Sequence, residues 1–75
     1  MSSLKAIVRE FIKELIELQN EPSNEESIHN LERIFDEFED KSKSITMYMR
    51  MIMSYVYSRR DYVKAIQELN KLIEE

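Results

Sequence analysis

Hydrophobic residues in the first part of the chain recur at steps of three and four residues, which is the spacing of one face of an α-helix. They are Leu4, Ile7, Val8, Phe11, Ile12, Leu15, Ile16 and Leu18. Ser2 or Ser3 is suited to cap the first turn, so the pattern predicts a helix over about residues 3–19. Part of this face alternates four- and three-residue steps as in a short coiled coil, which favours a helical partner. That part consists of Leu4, Val8, Phe11, Leu15 and Leu18.

A second helix is predicted after Pro22, because proline cannot continue the first one. Ser23 and Glu26 have the S-x-x-E spacing of a capping box, in which the hydroxyl and the carboxylate bond the free amides of a helix start. The stripe that follows predicts a helix over about residues 24–40. Its members are Ile28, Leu31, Ile34, Phe35 and Phe38.

The third segment follows a polar connector, residues 39–44, in which Ser44 is the expected cap. Its odd-numbered positions from Ile45 to Tyr57 alternate strictly with the even-numbered ones, as in a β-strand. A single strand would lack a partner in an otherwise helical chain, so we interpret the segment as a helix over about residues 44–74.

On a helix, the residues of this segment fall on two neighbouring apolar arcs. One arc holds Ile45, Met49, Ile52, Val56, Val63 and Ile66, and the second holds Tyr48, Met51, Tyr55, Tyr62 and Leu69. A narrow polar stripe remains, made of Thr46, Arg50, Ser54, Ser58 and Asp61, with Met47 among them. A helix that is apolar on most sides must be buried on most sides.

Arg59 and Arg60 leave two alternatives for this helix. A continuous helix would place both arginines beside the apolar arc, where their stems can reach out to solvent. A break at residues 58–61 would instead let Asp61 cap a fourth helix. Asp61-Tyr62-x-x-Ala65-Ile66-x-x-Leu69-x-Lys71-Leu72-Ile73 is similar to the second helix of a tetratricopeptide repeat, which favours the break. No second repeat follows, and Met53 stands where the repeat has a small residue, so we do not assign the chain to that family.

Methionine and tyrosine are concentrated in residues 46–62, which contain four of the five methionines and all four tyrosines. A chain of 75 residues without cysteine builds a thin core and has no disulfide to support it. Methionine adapts to irregular neighbours, and tyrosine combines contact area with a hydroxyl that stays wet. We therefore predict a protein interface, most simply that of a homodimer, that contains Met47, Tyr48, Met51, Tyr55, Tyr62 and Leu69.

Charge is distributed unevenly along the chain, whose net charge is −4. Residues 1–40 hold four basic and eleven acidic residues, residues 41–64 hold six and one, and residues 65–75 hold one and three. The acidic first half and the basic middle are complementary, so they would orient helices 1 and 2 against helix 3 of the same or of a second copy. Because exposed ion pairs contribute only about 0–1 kcal/mol each, apolar burial would drive the association.

The basic middle also supports an alternative, nucleic-acid binding. Tyrosines that stack on bases would accompany cations that meet phosphates, and these cations are Lys41, Lys43, Arg50, Arg59, Arg60 and Lys64. However, the chain has an isoelectric point near 5.0, whereas dedicated nucleic-acid-binding domains are usually strongly basic.

The sequence offers little material for catalysis. His29 is the only histidine, and Glu26 precedes it at the E-x-x-H spacing of metal-binding helices, but apolar residues take the inward stripe of that helix. The chain lacks glycine, which phosphate-binding loops and nucleophile elbows require. We predict no catalytic residue, no metal site, no cofactor and no small-molecule substrate.

A membrane role is not expected, because the most apolar run, residues 47–57, is too short to span a bilayer and contains Arg50. No stretch resembles an export signal, and the lack of cysteine fits a reducing compartment, so we expect a cytoplasmic protein. The patterns together predict an all-α protein with one domain over residues 1–75, built of three helices, or of four if the chain breaks near Arg59 and Arg60. We expect a homodimeric adaptor or accessory subunit that works by binding another protein.

Overall fold

The computed structural model describes residues 4–74, which form four α-helices with short connections. They are α1 (Leu4–Asn20), α2 (Glu25–Lys41), α3 (Lys43–Arg59) and α4 (Tyr62–Glu74). Each helix packs against its neighbours in the chain, and α4 closes the ring by packing against α1. The all-helical bundle that the sequence predicts is thus confirmed, with four helices in the described range. The strand-like alternation after Ile45 belongs to α3.

Neighbouring helices run antiparallel, as the contacts between α1 and α2 show. Ser27 Oγ donates a hydrogen bond to Glu17 Oε2 at 3.1 Å, and Asn30 Nδ2 donates to Glu14 Oε1 at 3.3 Å. A step forward along α2 is therefore a step backward along α1. The pairs between α3 and α4 follow the same order, and connections of a few residues favour this up-and-down arrangement.

The turn between α1 and α2 ends in a cap that differs from the prediction. Asn24 is the N-cap of α2, and its side chain accepts a hydrogen bond from the Ser27 backbone N–H at 3.2 Å. The predicted cap at Ser23 is therefore wrong by one residue. Asparagine is among the strongest N-cap residues, so Asn24 fills the role as well as serine would. Glu25 and Glu26 occupy the first turn, where carboxylates favour the positive end of the helix dipole.

Ser42 alone separates α2 from α3, where the sequence predicts a connector over residues 39–44. Its backbone N–H donates to the Phe38 carbonyl at the end of α2, and its side chain accepts from the Ile45 N–H at 3.3 Å. One serine thus ends one helix and begins the next. The predicted cap at Ser44 is wrong because Ser42 caps α3 two residues earlier. This short joint holds the end of α2 close to the start of α3.

The helix is interrupted at Arg60 and Asp61, between α3 and α4. This decides between the continuous helix and the broken one that the sequence left open. Arg60 has φ 55° and ψ 30°, a left-handed conformation that helices often use at their C-terminus. Asp61 Oδ1 then accepts a hydrogen bond from the Lys64 backbone N–H at 3.0 Å, as predicted for the cap of a fourth helix. A continuous helix over residues 44–74 is therefore excluded.

Apolar side chains from all four helices fill the interior. Phe11 and Phe38 are fully buried, and their rings meet edge to face with centroids 6.2 Å apart. The other buried apolar residues are Ile7, Val8, Leu15, Leu18, Leu31, Ile34, Met49, Ile52, Met53, Val56, Ala65 and Leu69. The seam of α1 that favours a helical partner is therefore used inside the chain, apart from Leu4, which is exposed.

Candidate protein-binding surface

The outward side of α3 carries an uncharged strip, here named the α3 seam, that consists of Ser44, Met47, Met51, Ser54 and Ser58. These positions alternate three- and four-residue steps, so they lie along one line on the helix. All five side chains are exposed, with Met47 at 73% and Met51 at 43% of full accessibility. The Ser54 hydroxyl donates to the Met51 carbonyl of its own helix. Two flexible apolar side chains therefore stand in solvent between small, uncharged neighbours.

The methionines of α3 divide between the α3 seam and the interior. Met49 and Met53 are buried at 0% and 7% exposure, whereas Met47 and Met51 point away from the core. Residues two apart on a helix differ in direction by about 200°, so alternating methionines reach opposite sides. The strand-like alternation of this segment therefore places Met49 and Met53 in the core and Met47 and Met51 on the surface.

The structure places the six residues of the predicted interface in three environments. Met47 and Met51 belong to the α3 seam. Three tyrosines are half-buried, namely Tyr48, Tyr55 and Tyr62. Leu69 is fully buried, so its place in an exposed surface is wrong. The break at Arg60 changes the direction of the chain, and Leu69 joins Ala65 on the inward stripe of α4.

Polar contacts tie the tyrosines of α3 to α4. The Tyr48 hydroxyl donates to Glu68 Oε2 at 3.0 Å, and Lys64 Nζ lies 4.6 Å from the centroid of the Tyr55 ring. Burial, followed by the hydrogen bond to Glu68, raises the pKa of Tyr48. A hydrogen bond from Lys71, followed by that from Tyr48, lowers the pKa of Glu68. This flank of α3 is therefore largely occupied within the chain.

The opposite flank of α3 borders an open groove, here named the α2–α3 groove, with a volume of about 630 Å³. Its apolar lining includes Phe11, Leu31, Phe35 and Met53, and its rims carry Glu32 and Asp36 from α2 and Arg50, Ser54, Tyr57 and Ser58 from α3. Ser42 holds the other ends of α2 and α3 together, and the groove lies away from that joint. Its volume is in the range of pockets that bind ligands.

Arg50 stands in the middle of the α3 rim. Its Nη2 lies 2.9 Å from Glu39 Oε1, and its guanidinium carbon lies 5.7 Å from the centroid of the Phe35 ring. A second hollow of about 510 Å³ continues past it toward Ser42, lined by Glu39, Lys43, Thr46, Met47 and Arg50. Arg50 therefore lines both hollows.

Tyr57 projects from the α3 rim with 62% of its surface exposed. Partial burial, followed by the negative charge of Glu32, raises the pKa of its hydroxyl. The raised pKa makes loss of the phenol proton still less favourable than in an ordinary tyrosine, which is unsuited to a general base or a nucleophile. A neutral, exposed tyrosine is suited to contact a partner through its ring and its hydroxyl.

The six basic residues of the nucleic-acid hypothesis do not lie together. Lys41 and Lys43 flank Ser42, Arg50 lies in the middle of α3, and Arg59, Arg60 and Lys64 lie around its far end. The two ends of α3 are about 24 Å apart at the rise of an α-helix. Arg50 is paired with Glu39, and Lys64 covers Tyr55.

Within residues 4–74, no group of three or more histidine, aspartate or glutamate side chains is placed to hold a metal ion. His29 is exposed on α2. None of the helices in the described range combines the length and the apolarity that a bilayer crossing needs.

Comparison of the chain with protein-family models, with curated proteins and with solved structures found no match.

The sequence did not indicate the α2–α3 groove. Phe35 belongs to the stripe of α2 that the sequence predicts as buried, and Tyr57 is one of the tyrosines in the base-stacking hypothesis. Ser42 is the signal that could have revealed the groove. A residue that caps two helices holds their adjacent ends together, whereas the distance between their far ends depends on the side chains packed between them.

Proposed function

We propose that this protein is a small adaptor or accessory subunit without catalytic activity, which binds a helix of another protein in the α2–α3 groove and works as a cytoplasmic homodimer. The observation that carries the proposal is the groove, a depression of about 630 Å³ that is open to solvent, in which Phe35 is the partly exposed apolar side chain above a floor of buried ones. Large pockets with apolar linings and a few polar groups are the usual binding sites of proteins.

An amphipathic helix fits the shape and the rims of the α2–α3 groove. In helix-in-groove recognition, apolar residues spaced by three and four positions enter a hydrophobic channel. The α2 rim carries the carboxylates Glu32 and Asp36, whereas the α3 rim carries Arg50. The expected partner helix therefore has basic residues toward α2 and acidic residues toward α3, which would fix its orientation.

The chemistry of the rims supports binding without catalysis. Glu32 and Asp36 are exposed, and Tyr57 has a raised pKa. An acid–base pair requires two groups whose environments move their pKa values toward the working pH. The α3 seam, which lies beside the groove, supports the homodimer part of the proposal, and the absence of cysteine supports the cytoplasmic part.

Site-specific photo-crosslinking tests the proposal in cells of the source organism. A benzoyl-phenylalanine in place of Tyr57 exchanges one exposed aromatic residue for another, and we expect it to capture one protein other than a second copy of this chain. The second-site change Phe35→Glu places a charge in the groove and should abolish the capture, whereas Phe35→Leu should keep it. The matched control carries the probe at Val63, an exposed apolar position on α4, and should not capture that protein. Equal capture from positions 57 and 63, or capture that survives Phe35→Glu, would contradict the groove.

The nucleic-acid alternative has a separate test. Phosphate contacts make affinity fall steeply with salt, so titration of single- and double-stranded DNA at several salt concentrations would reveal them. Because the basic residues are dispersed, we expect no binding at low salt. Binding that weakens with salt and disappears in Arg59→Ala/Arg60→Ala would replace the adaptor proposal by this alternative.

A further inference from the structure

We propose that the α3 seam binds the α3 seam of a second copy in antiparallel orientation, so that Met47 faces Ser58 and Met51 faces Ser54. The inference rests on the homodimer of the proposed function and names the surface and the register that form it. The two copies would share a two-fold axis across the middle of the seam, and each pair of facing residues would occur twice.

The order of large and small residues favours this register. In an antiparallel pair of helices, the a-type seam positions of one helix face the d-type positions of the other, where the a-type positions here are Ser44, Met51 and Ser58 and the d-type positions are Met47 and Ser54. The proposed register gives four successive layers, and each contains one methionine and one serine. Such layers have nearly equal volume, so the helices can approach evenly along their length.

The neighbouring antiparallel register, shifted by one heptad, fills the interface less evenly. It would place Met47 against Met51 in the middle and Ser44 against Ser54 at both ends. Two bulky layers would hold the helices apart, and the serine layers would be left with gaps that lose dispersion contacts. A parallel pair has the same defect, because each methionine would face its own copy and each serine would face a serine.

The charges beside the α3 seam favour the same register. Arg50 and Tyr57 lie on the same flank of α3, seven residues apart. In the proposed register, Arg50 of each copy faces Tyr57 of the other, which allows a cation–π contact in both halves of the dimer. The neighbouring register would instead bring the two Arg50 side chains together, and like charges at an interface are unfavourable.

The flank of α3 that faces α4 also fits this register. On this flank, Tyr48 of one copy would lie toward Tyr55 of the other. Both rings are half-buried, and the Tyr48 hydroxyl keeps its bond to Glu68. The dimer therefore covers the exposed methionines of both copies.

Cysteine cross-linking tests the register directly, because the chain has no cysteine of its own. Single variants Met47→Cys, Met51→Cys, Ser54→Cys and Ser58→Cys change exposed positions only and should keep wild-type helicity. When Met51→Cys is mixed with Ser54→Cys and oxidised, we expect the mixed disulfide as the main product, and the same for Met47→Cys with Ser58→Cys. Facing residues come within the short Cα separation that a disulfide requires.

Each other outcome overturns the inference. A main product from Met47→Cys with Met51→Cys would show the neighbouring register, and Met51→Cys linked mainly to itself would show a parallel pair. Sedimentation of the wild-type chain as a monomer from micromolar to millimolar concentration would exclude the dimer altogether. The photo-crosslink from position 57 separates this result from the adaptor proposal when the captured protein is not a second copy of this chain, because Tyr57 also faces the second copy across the seam dimer. A partner captured by a monomeric chain would leave the groove proposal intact and contradict only the seam dimer.

Discussion

Arg60 has the one positive φ among the non-glycine residues that the structure describes, and it forms the hinge between α3 and α4. A left-handed conformation costs about 1 kcal/mol for a residue with a Cβ atom, and helices commonly use glycine at this position. The chain contains no glycine, so an arginine adopts the conformation that ends α3. Asp61 indicated in the sequence where the helix could be interrupted. The left-handed conformation of Arg60 could not be predicted, because arginine has no preference for it.

We expect Arg60→Gly to stabilise the fold, because glycine adopts this conformation without a steric cost. The free energy of unfolding should rise by about 0.5–1 kcal/mol, which raises Tm by about 2–8 °C in a domain of this size. Arg59→Gly is the matched control, since it removes the same charge within the last turn of α3. It should lower the stability by about 1 kcal/mol. Equal effects of both changes in thermal melts would contradict the left-handed conformation of Arg60.

Tyr48 makes the free energy of unfolding depend on pH in the alkaline range. Its pKa is raised by burial and by the hydrogen bond to Glu68, whereas a tyrosine of the unfolded chain titrates near pH 10. Above that pH the unfolded chain binds fewer protons than the folded one, so the free energy of unfolding falls as pH rises through the folded pKa. Tyr57, whose pKa is also raised, acts in the same direction.

We therefore expect Tyr48→Phe to make the alkaline decrease in stability less steep than in the wild type. Denaturant unfolding at several pH values between about 9 and 12 measures the slope. Below pH 9 the slopes of the two proteins should agree, because the tyrosines are protonated in both states. An unchanged slope above pH 10 in Tyr48→Phe would show that Tyr48 does not lose its proton later in the folded state.

At the scale of the helices, periodicity predicted most of the buried faces of α1 and α2, although Leu4 and Ile16 of the predicted α1 face are exposed, and it did not fix the helix ends. Ser23 and Asn24 are both good caps in sequence, and the backbone conformation decides that Asn24 fills the role. For α4 the phase could not be predicted. An unbroken helix places Val63 on the arc of Ile45 and Leu69 on the neighbouring arc of the predicted interface, whereas the break leaves Val63 exposed at 53% and buries Leu69.

Replacement of the two neighbouring residues measures which one caps α2. Asn24→Ala removes the acceptor of the Ser27 N–H, so we expect a loss of about 1 kcal/mol in the free energy of unfolding. Ser23→Ala, one residue earlier and exposed, should stay within about 0.5 kcal/mol of the wild type. Chemical denaturation of both variants gives the comparison, and the reverse order would restore the cap that the sequence predicts.

At the scale of the molecule, the break in the chain decides what α3 leaves exposed. Because α4 returns along α3, it covers the tyrosine flank, and the interior takes Met49 and Met53. The sequence indicated a third helix with more apolar surface than helices 1 and 2 could cover. In the structure, α4 packs against α3 and buries part of this surface. Met47 and Met51 stay outside because α2 and α4 lie on the two flanks and α1 across the core, so no helix of the chain reaches the outer side.

Substitution of two methionines of α3, one buried and one exposed, distinguishes effects on folding from effects on association. Met49→Glu places a carboxylate in the core without a partner, which costs several kcal/mol and is comparable to the whole stability of a small domain, about 5 kcal/mol or more. We therefore expect it to lose most of its helicity by circular dichroism. Met51→Glu changes a side chain of the α3 seam, so its helicity should equal that of the wild type, while the two new carboxylates, close together at the seam, weaken the dimer by about tenfold or more in sedimentation. Val63→Glu, also exposed but outside the seam, should change neither property. A loss of helicity in Met51→Glu that matches Met49→Glu would place Met51 in the core of the single chain and remove the argument for a docking face on α3.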